Sequence, residues 1–251
     1  MKSISLLLLT PFLLTPVLSF AQEEGVAQYS HTFEILYGKD GADAVIEIVK
    51  RQNGEDPLPP GPGFATVSRT LTFNSTTSLF HTTEIQSFEI GERSNWEYID
   101  TTFVDFKKGD YSQWVEFNAD AYLIKDQLPE FSWRLTNETR TYLDYRVMKA
   151  TALVDSSIVE AWFTPDIPVS AGPGLYSGLP GLILMATNEA TGEVYSAELV
   201  DLKARSNIAA PSTGRAISAK KYHQIKKSEM EKSRRIYDKL MREREERGYA
   251  P

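Results

Sequence analysis

Residues 26–37, Val26-Ala27-Gln28-Tyr29-Ser30-His31-Thr32-Phe33-Glu34-Ile35-Leu36-Tyr37, repeat with a period of two. Tyr29, His31, Phe33, Ile35 and Tyr37 fall on one face and Ser30, Thr32 and Glu34 on the other, the alternation of a half-buried strand. Val67, Arg69, Leu71 and Phe73 alternate with Ser68, Thr70 and Thr72 in the same way. Residues 44–50, 79–85, 96–106, 111–117, 121–125, 131–136, 139–153, 158–163, 182–187 and 194–202 are rich in Thr, Val, Ile and aromatics, which suit a pleated surface. Lys107-Lys108-Gly109-Asp110 and Asn188-Glu189-Ala190-Thr191-Gly192 supply tight turns between strong runs. Many short strands with no long helix between them predict a mainly β fold, a curved antiparallel sheet forming a half-barrel, barrel or sandwich. A βαβ architecture does not fit this order.

The 251 residues hold no cysteine, which excludes disulfides, thiolate metal sites and a thiol nucleophile. Lys2, the apolar run 4–18 and Ser19-Phe20-Ala21 predict a secretory signal peptide over residues 1–21, cleaved before Gln22. The run is shorter than the ~20 apolar residues that span a bilayer and contains Pro11 and Pro16. The mature protein is therefore expected in the periplasm or secreted. Without disulfides its fold rests on packing, which ~230 residues can supply by burying roughly 70% of the unfolded surface.

Three further segments follow from composition: a β-rich domain over 22–205, a linker over 206–217 and a basic amphipathic helical tail over 218–251. In the tail, Tyr222, Ile225, Met230, Ile236, Tyr237, Leu240 and Met241 share one arc of a helical wheel, interrupted by Lys226, Glu229 and Ser233. Residues 22–217 carry 28 acidic and 15 basic side chains, a net of −13, against 6 acidic and 11 basic in the tail, a net of +5. An acidic body repels phosphates and argues against nucleic acid. Three placements suit the tail: packed on the acidic body, docked to a protein partner, or lying on an anionic membrane surface. Gln52–Gly63, with four prolines and three glycines, reads as an exposed stiff loop.

The densest unusual chemistry is Ala161-Trp162-Phe163-Thr164-Pro165-Asp166-Ile167-Pro168-Val169-Ser170-Ala171-Gly172-Pro173-Gly174-Leu175-Tyr176-Ser177-Gly178-Leu179-Pro180-Gly181-Leu182-Ile183-Leu184. Its prolines fix φ and its glycines permit close approach or positive φ. Between Phe163 and Leu182 this predicts a rigid crossover packed against the sheet. Trp162, Phe163, Asp166, Gly172, Pro173, Gly178, Leu179, Pro180 and Gly181 are its candidate groove or interaction residues.

This stretch resembles the GLPGLI family, exported proteins of Bacteroidetes-type bacteria named for the hexapeptide found here as Gly178 to Ile183. Trp133, Glu138, Lys149, Ala150 and the Lys/Glu-rich ending fit the same pattern, so the resemblance runs from about Phe131 to Met241. Met148 stands where the family often has Cys, and Gly174 where it often has an aromatic. The resemblance implies a β-rich, periplasmic or outer-membrane-facing protein, expected to operate near TonB-dependent outer-membrane systems. It supplies no reaction and no catalytic residue.

Motifs for nucleotide binding, a nucleophile elbow or a paired-histidine metal site are absent from the sequence. His31 and His81 on adjacent strands with Glu84 would suit a mononuclear metal site, though strand histidines are more commonly half-buried polar residues. Asp166 is the one acid worth testing for catalysis, with a turn role as its simpler reading. Trp96, Trp114, Trp133 and Trp162 suit either core positions or a sugar- or lipid-binding surface. The functional expectation is a non-enzymatic binding or accessory protein of the cell envelope, without cofactor, holding an apolar ligand or a segment of an outer-membrane partner in a groove beside the Pro/Gly motif. A periplasmic hydrolase or metal-binding protein is the first alternative, and a structural envelope protein without a small ligand the second.

Overall fold

The computed structural model describes residues 23–35, 63–88, 100–117, 120–154 and 157–246. The signal segment 1–21, the run 44–50, most of the Pro/Gly loop and Trp96 lie outside the described residues. In chain order the strands are β1 (Gly25–Ile35), β2 (Gly63–Phe73), β3 (Thr77–Phe88), β4 (Asp100–Asp105), β5 (Asp110–Phe117) and β6 (Asp120–Gln127). Then come β7 (Arg134–Tyr142), β8 (Tyr145–Val154), β9 (Ser157–Thr164), β10 (Leu182–Asn188), β11 (Glu193–Asp201) and β12 (Arg215–Ile217), followed by the helix α1 (Ala219–Glu246).

The strands form one curved, unclosed sheet in the order β12-β6-β5-β4-β3-β2-β1-β11-β10-β9-β8-β7. Neighbouring strands pair antiparallel except β12, which runs parallel to β6 within the stretch read from sequence as linker. Local chemistry closes the turns. The Asp105 carboxylate accepts from the Lys107 and Lys108 amides at 3.1 and 3.0 Å, and Gly109 takes φ +68°. Asn74 Oδ1 does the same for the amides of Thr76 and Thr77 at the β2–β3 turn. Leu143 and Asp144, with φ of 49° and 63°, make the two-residue β7–β8 turn, which splits the run expected over 139–153. The sheet coils so far that Tyr142 Oη at this turn donates to the Ala197 carbonyl of β11 at 2.6 Å.

The loop 165–181 joins β9 to β10, which are adjacent antiparallel strands, so it is an excursion that folds back onto its own hairpin rather than a crossover. Its Ile167, Val169, Ala171 and Leu179 fill the hollow of the sheet against Tyr29, Leu71, Phe73, Phe80, Phe163 and Ala197. Tyr29 is fully buried, and its hydroxyl donates to the Ile183 carbonyl at 2.7 Å, tying β1 to the exit of the loop. Tyr29→Phe is expected to lower stability by about 1–2 kcal/mol in urea denaturation, because the carbonyl loses its partner without a change of shape.

A second core gathers Val104, Tyr111, Val115, Phe117, Tyr122 and Ile124 at the other end of the sheet. The first turns of α1 cover it through Ala219, Tyr222 and Ile225. Ser218 caps the helix, its hydroxyl accepting from the Lys221 amide at 3.3 Å. Tyr222 sets its ring against Phe117 and Tyr122 at centroid distances of 6.2 and 5.7 Å. The 28 residues of α1 extend ~42 Å. No helix among the described residues is long and apolar enough to cross a membrane.

Candidate functional site

The motif loop is held by its own backbone. The Leu182 amide donates to the Ile167 carbonyl at 3.0 Å, the Ile183 amide to Ala171 at 2.9 Å, and the Gly178 amide to Ser170 Oγ at 2.9 Å. Gly174, with φ +61°, makes the turn that returns the Tyr176 amide to the Pro173 carbonyl. Gly172 and Gly181 are required for a different reason, since a Cβ on either would lie within 2.6 Å of a backbone carbonyl oxygen. Among the candidate interaction residues, Phe163, Gly172, Pro173, Leu179 and Gly181 are buried, whereas Asp166, Gly178 and Pro180 are exposed. Trp162 is half-buried with the Arg140 guanidinium 3.9 Å above its ring. Asp166 sits in the turn after β9, where its amide donates to Thr164 Oγ1 at 3.2 Å. The motif's apolar side chains thus form core.

Trp133, Glu138 and Lys149, outside the loop, serve the same unit. Trp133 Nε1 donates to the Ser177 carbonyl at 2.7 Å, pinning the loop from the chain segment before β7. Lys149 on β8 pairs with Glu160 on β9 at 2.9 Å and Glu138 on β7 at 3.5 Å.

Beyond the loop, the concave face is lined by buried charge. Arg69 on β2 is paired with Asp100 on β4, the two side chains only 5% and 13% exposed. Asp100 also accepts from Thr82 Oγ1 at 3.3 Å and Gln113 Nε2 at 3.2 Å, so four strands contribute to one carboxylate. Burial opposes the Arg69 charge, but Asp100, helped by Tyr195 and Glu193, holds the guanidinium above its ordinary pKa. The guanidinium lies 5.5 Å from the centre of the Phe80 ring.

His31 stands beside this pair on β1. Its ring stacks on Tyr195 at 3.9 Å and contacts Phe33 at 4.7 Å, and its Nε2 is 3.8 Å from Glu193 Oε1, beyond hydrogen-bond reach. Both ring nitrogens are buried without a partner, as is Nε of Arg69. Tyr176 reaches in from the motif loop and sets its ring edge-on to Tyr195 at 6.1 Å. Burial raises the hydroxyl pKa of both Tyr195 and Tyr176.

Burial first, and then the cations Arg69 and Lys226, push His31 down from its ordinary 6.5 to about 2. Its imidazole is neutral in the folded protein. The unfolded chain takes up a proton near 6.5 that the native chain refuses until about 2. Stability is therefore fully present above pH 6.5 and falls between these values, at up to ~1.4 kcal/mol per pH unit. His31→Phe keeps the ring stack and removes both orphaned nitrogens, so it is expected to stabilise the protein by about 1–3 kcal/mol at pH 7. In urea denaturation its advantage over the natural chain should widen by roughly 2 kcal/mol at pH 5. A constant advantage would refute the buried neutral imidazole.

The metal site envisaged from His31 and His81 is not assembled. β2 lies between their strands, so the two are not on adjacent strands as expected. His31 is in register with Val67 and His81 with Thr70, which follows buried Arg69, and strand alternation turns the two rings to opposite faces. Among the described residues no three His, Asp or Glu stand close enough to hold a metal ion. The polar cluster was nonetheless signalled in the sequence, because His31 and Arg69 occupy apolar-phase positions of two strongly alternating strands.

The family described as "Protein of unknown function (Porph_ging)" matches residues 153–185, which run from the end of β8 through the loop into β10. No curated protein matches the chain. Two solved structures of PNGF-II are similar to the chain at 20% identity. The one in space group P21 gives a TM-score of 0.49 over 84% of this chain and 34% of that chain, and the one in space group C2 gives 0.50 over 84% and 33%. The chain spans about a third of the length of these PNGF-II chains. By sequence it is similar, across the motif, to a family of unknown function, and by fold to part of PNGF-II.

Proposed function

We propose that the chain is an exported, non-enzymatic binding or accessory protein of the cell envelope, related to the GLPGLI proteins. It holds a ligand, or a segment of an outer-membrane partner such as a TonB-dependent system, against the polar half of its concave sheet. The observation that carries this reading is the His31, Arg69 and Asp100 cluster. Buried ion pairs are poor stabilisers and orphaned buried nitrogens cost about 1–3 kcal/mol each, so packing alone does not account for a cluster that contains both. Perturbed buried groups of this kind gather at functional sites. The motif loop fills the apolar half with Leu179 and Ile167, which shifts the expected contact from an acyl chain towards a polar group.

Export rests on the leader-like residues 1–21 and on the motif shared with exported proteins. Native mass spectrometry of protein expressed with its own leader in a diderm bacterium tests both parts. The expected species starts at Gln22, is recovered from the periplasm or outer-membrane fraction, and carries a non-covalent adduct or cross-links to an outer-membrane protein. Retention in the cytoplasm with residues 1–21 intact contradicts export. Adduct-free protein that turns over an ester, peptide or glycosidic substrate contradicts the non-enzymatic role.

A further inference from the structure

We infer that α1 is a displaceable strap across the hollow of the sheet, and that a ligand reaches the polar half of the concave face only when the strap swings aside about Ser218. The inference rests on the reading of the chain as a binding protein and names how access to its site is controlled.

The polar half is shut in this structure. His31 and Arg69 are each 4% exposed, and both His31 nitrogens and Arg69 Nε are buried. A ligand that uses this face therefore requires an element to move, and the elements around the hollow differ in how they are held. The strands are fixed by their ladders, and the motif loop by the amide bonds of Leu182, Ile183 and Gly178 and by the indole of Trp133. α1 follows β12, whose ladder to β6 ends at Ile217, and it is seated on the second core through the side chains of Ala219, Tyr222 and Ile225. Side-chain packing without a ladder is the loosest of these attachments, and elements held that way open at the lowest free energy.

The course of α1 carries it over the hollow. Tyr222 packs on Phe117 of β5 and Tyr122 of β6, yet the charge of Lys226, one turn further on, is felt at His31 of β1, four strands from β5 in the sheet. Leu175 of the motif loop packs on the same second core, so α1 and the loop border one hollow. The seat is also imperfect. Tyr222 Oη is buried without a hydrogen-bond partner, a defect that closing the strap creates and opening it relieves, because water then reaches the hydroxyl. β12 is better anchored. Arg215 Nη2 donates to Tyr122 Oη at 2.8 Å, and the guanidinium lies 4.7 Å from the centre of that ring. Ser218 thus joins a fixed strand to a helix held by packing, where an element-terminal hinge absorbs a swing.

The test follows the full mature chain by native-state hydrogen exchange and by carbethoxylation of its histidines with diethyl pyrocarbonate, both read by mass spectrometry. Amides of residues 222–229 should exchange roughly a hundredfold faster than those of β1 and β10, through an opening that leaves the strands protected. Tyr222→Phe, which keeps the rings and removes the unpartnered hydroxyl, should slow both α1 exchange and His31 modification about tenfold. Tyr222→Ala should speed both about tenfold or more, with the strand amides unchanged. His223, on the exposed side of α1, reports the reagent itself and should react alike in all three proteins. Exchange of α1 only together with β1 and β10, or His31 reactivity indifferent to both substitutions, overturns the inference. If the strap opens as described while native mass spectrometry finds neither adduct nor cross-linked partner, the strap stands and the binding-protein reading fails. If α1 and the sheet open only as one unit while an adduct is found, the strap fails and that reading stands. If both are negative, both fail.

Discussion

Gly181→Ala is expected to abolish folding or to lower stability by more than about 4 kcal/mol in thermal and urea denaturation. A Cβ at this position would lie 2.1 Å from the Thr164 carbonyl oxygen, 2.6 Å from its carbon and 3.0 Å from Pro165 Cα, all backbone atoms. Flexible side chains can swing aside, but here the end of β9 and the entry to β10 would have to part. That would disturb the Leu182–Thr164 register and the Leu182 amide bond to Ile167. Losses above 4 kcal/mol have few mechanisms, and a backbone clash in a fully packed loop is one. Gly174→Ala gives the contrast. Its φ of +61° strains an alanine by only ~1–2 kcal/mol, because nothing lies within 4 Å of the added methyl. Equal effects at the two positions would contradict the packing of the loop as described.

Asp100→Ala should be the second most damaging change, costing about 3–5 kcal/mol, because it leaves the Arg69 guanidinium buried without its counter-charge. Thr82 and Gln113 lose the same acceptor. The Arg69→Met and Asp100→Leu pair should recover most of this loss, since an apolar pair of similar volume avoids desolvating two ions. Urea denaturation of the single and the paired variant reads the difference directly. If Asp100→Ala proves neutral, the pair is not buried in solution and the concave site loses its organising contact. If the apolar pair folds well but no longer binds ligand, the charges are retained for binding rather than for stability.

The strands with one buried face were legible because their side chains alternate. β1 and β2 show it clearly, and so does the tight β4–β5 turn at Lys107 to Asp110. β7 was misplaced by a few residues for a physical reason. It is an edge strand, seven of its nine residues are polar or charged, all but Leu135 and Tyr142, and most are exposed, so no apolar period marks its start. β12 is three residues in a Pro, Ser and Gly-rich stretch, and only its pairing with β6 makes it a strand. The motif loop was legible as rigid and closely packed from its prolines and glycines. Its role as filling for the sheet was not, because Leu179 and Ile167 look the same in sequence whether they wall a groove or occupy it.

The polar site was half visible. His31 and Arg69 sit in the apolar phase of their strands, which is where a charged or titratable group needs a partner. The partners come from elsewhere in the chain. Asp100 is on β4, Gln113 on β5, Glu193 and Tyr195 on β11 and Lys226 on α1, and no local spacing relates them. Lys226 illustrates the difficulty, since in sequence it interrupts the apolar arc of the tail, while in the folded chain its charge bears on the histidine.

The most direct measurement is a high-resolution crystal structure of the protein purified from the envelope of a bacterium that exports it. The expected result is density for a bound ligand or partner segment against the concave face beside His31 and Arg69. An empty face, with side chains of this chain or isolated waters meeting the His31 nitrogens and Arg69 Nε in every molecule, would contradict a ligand site there.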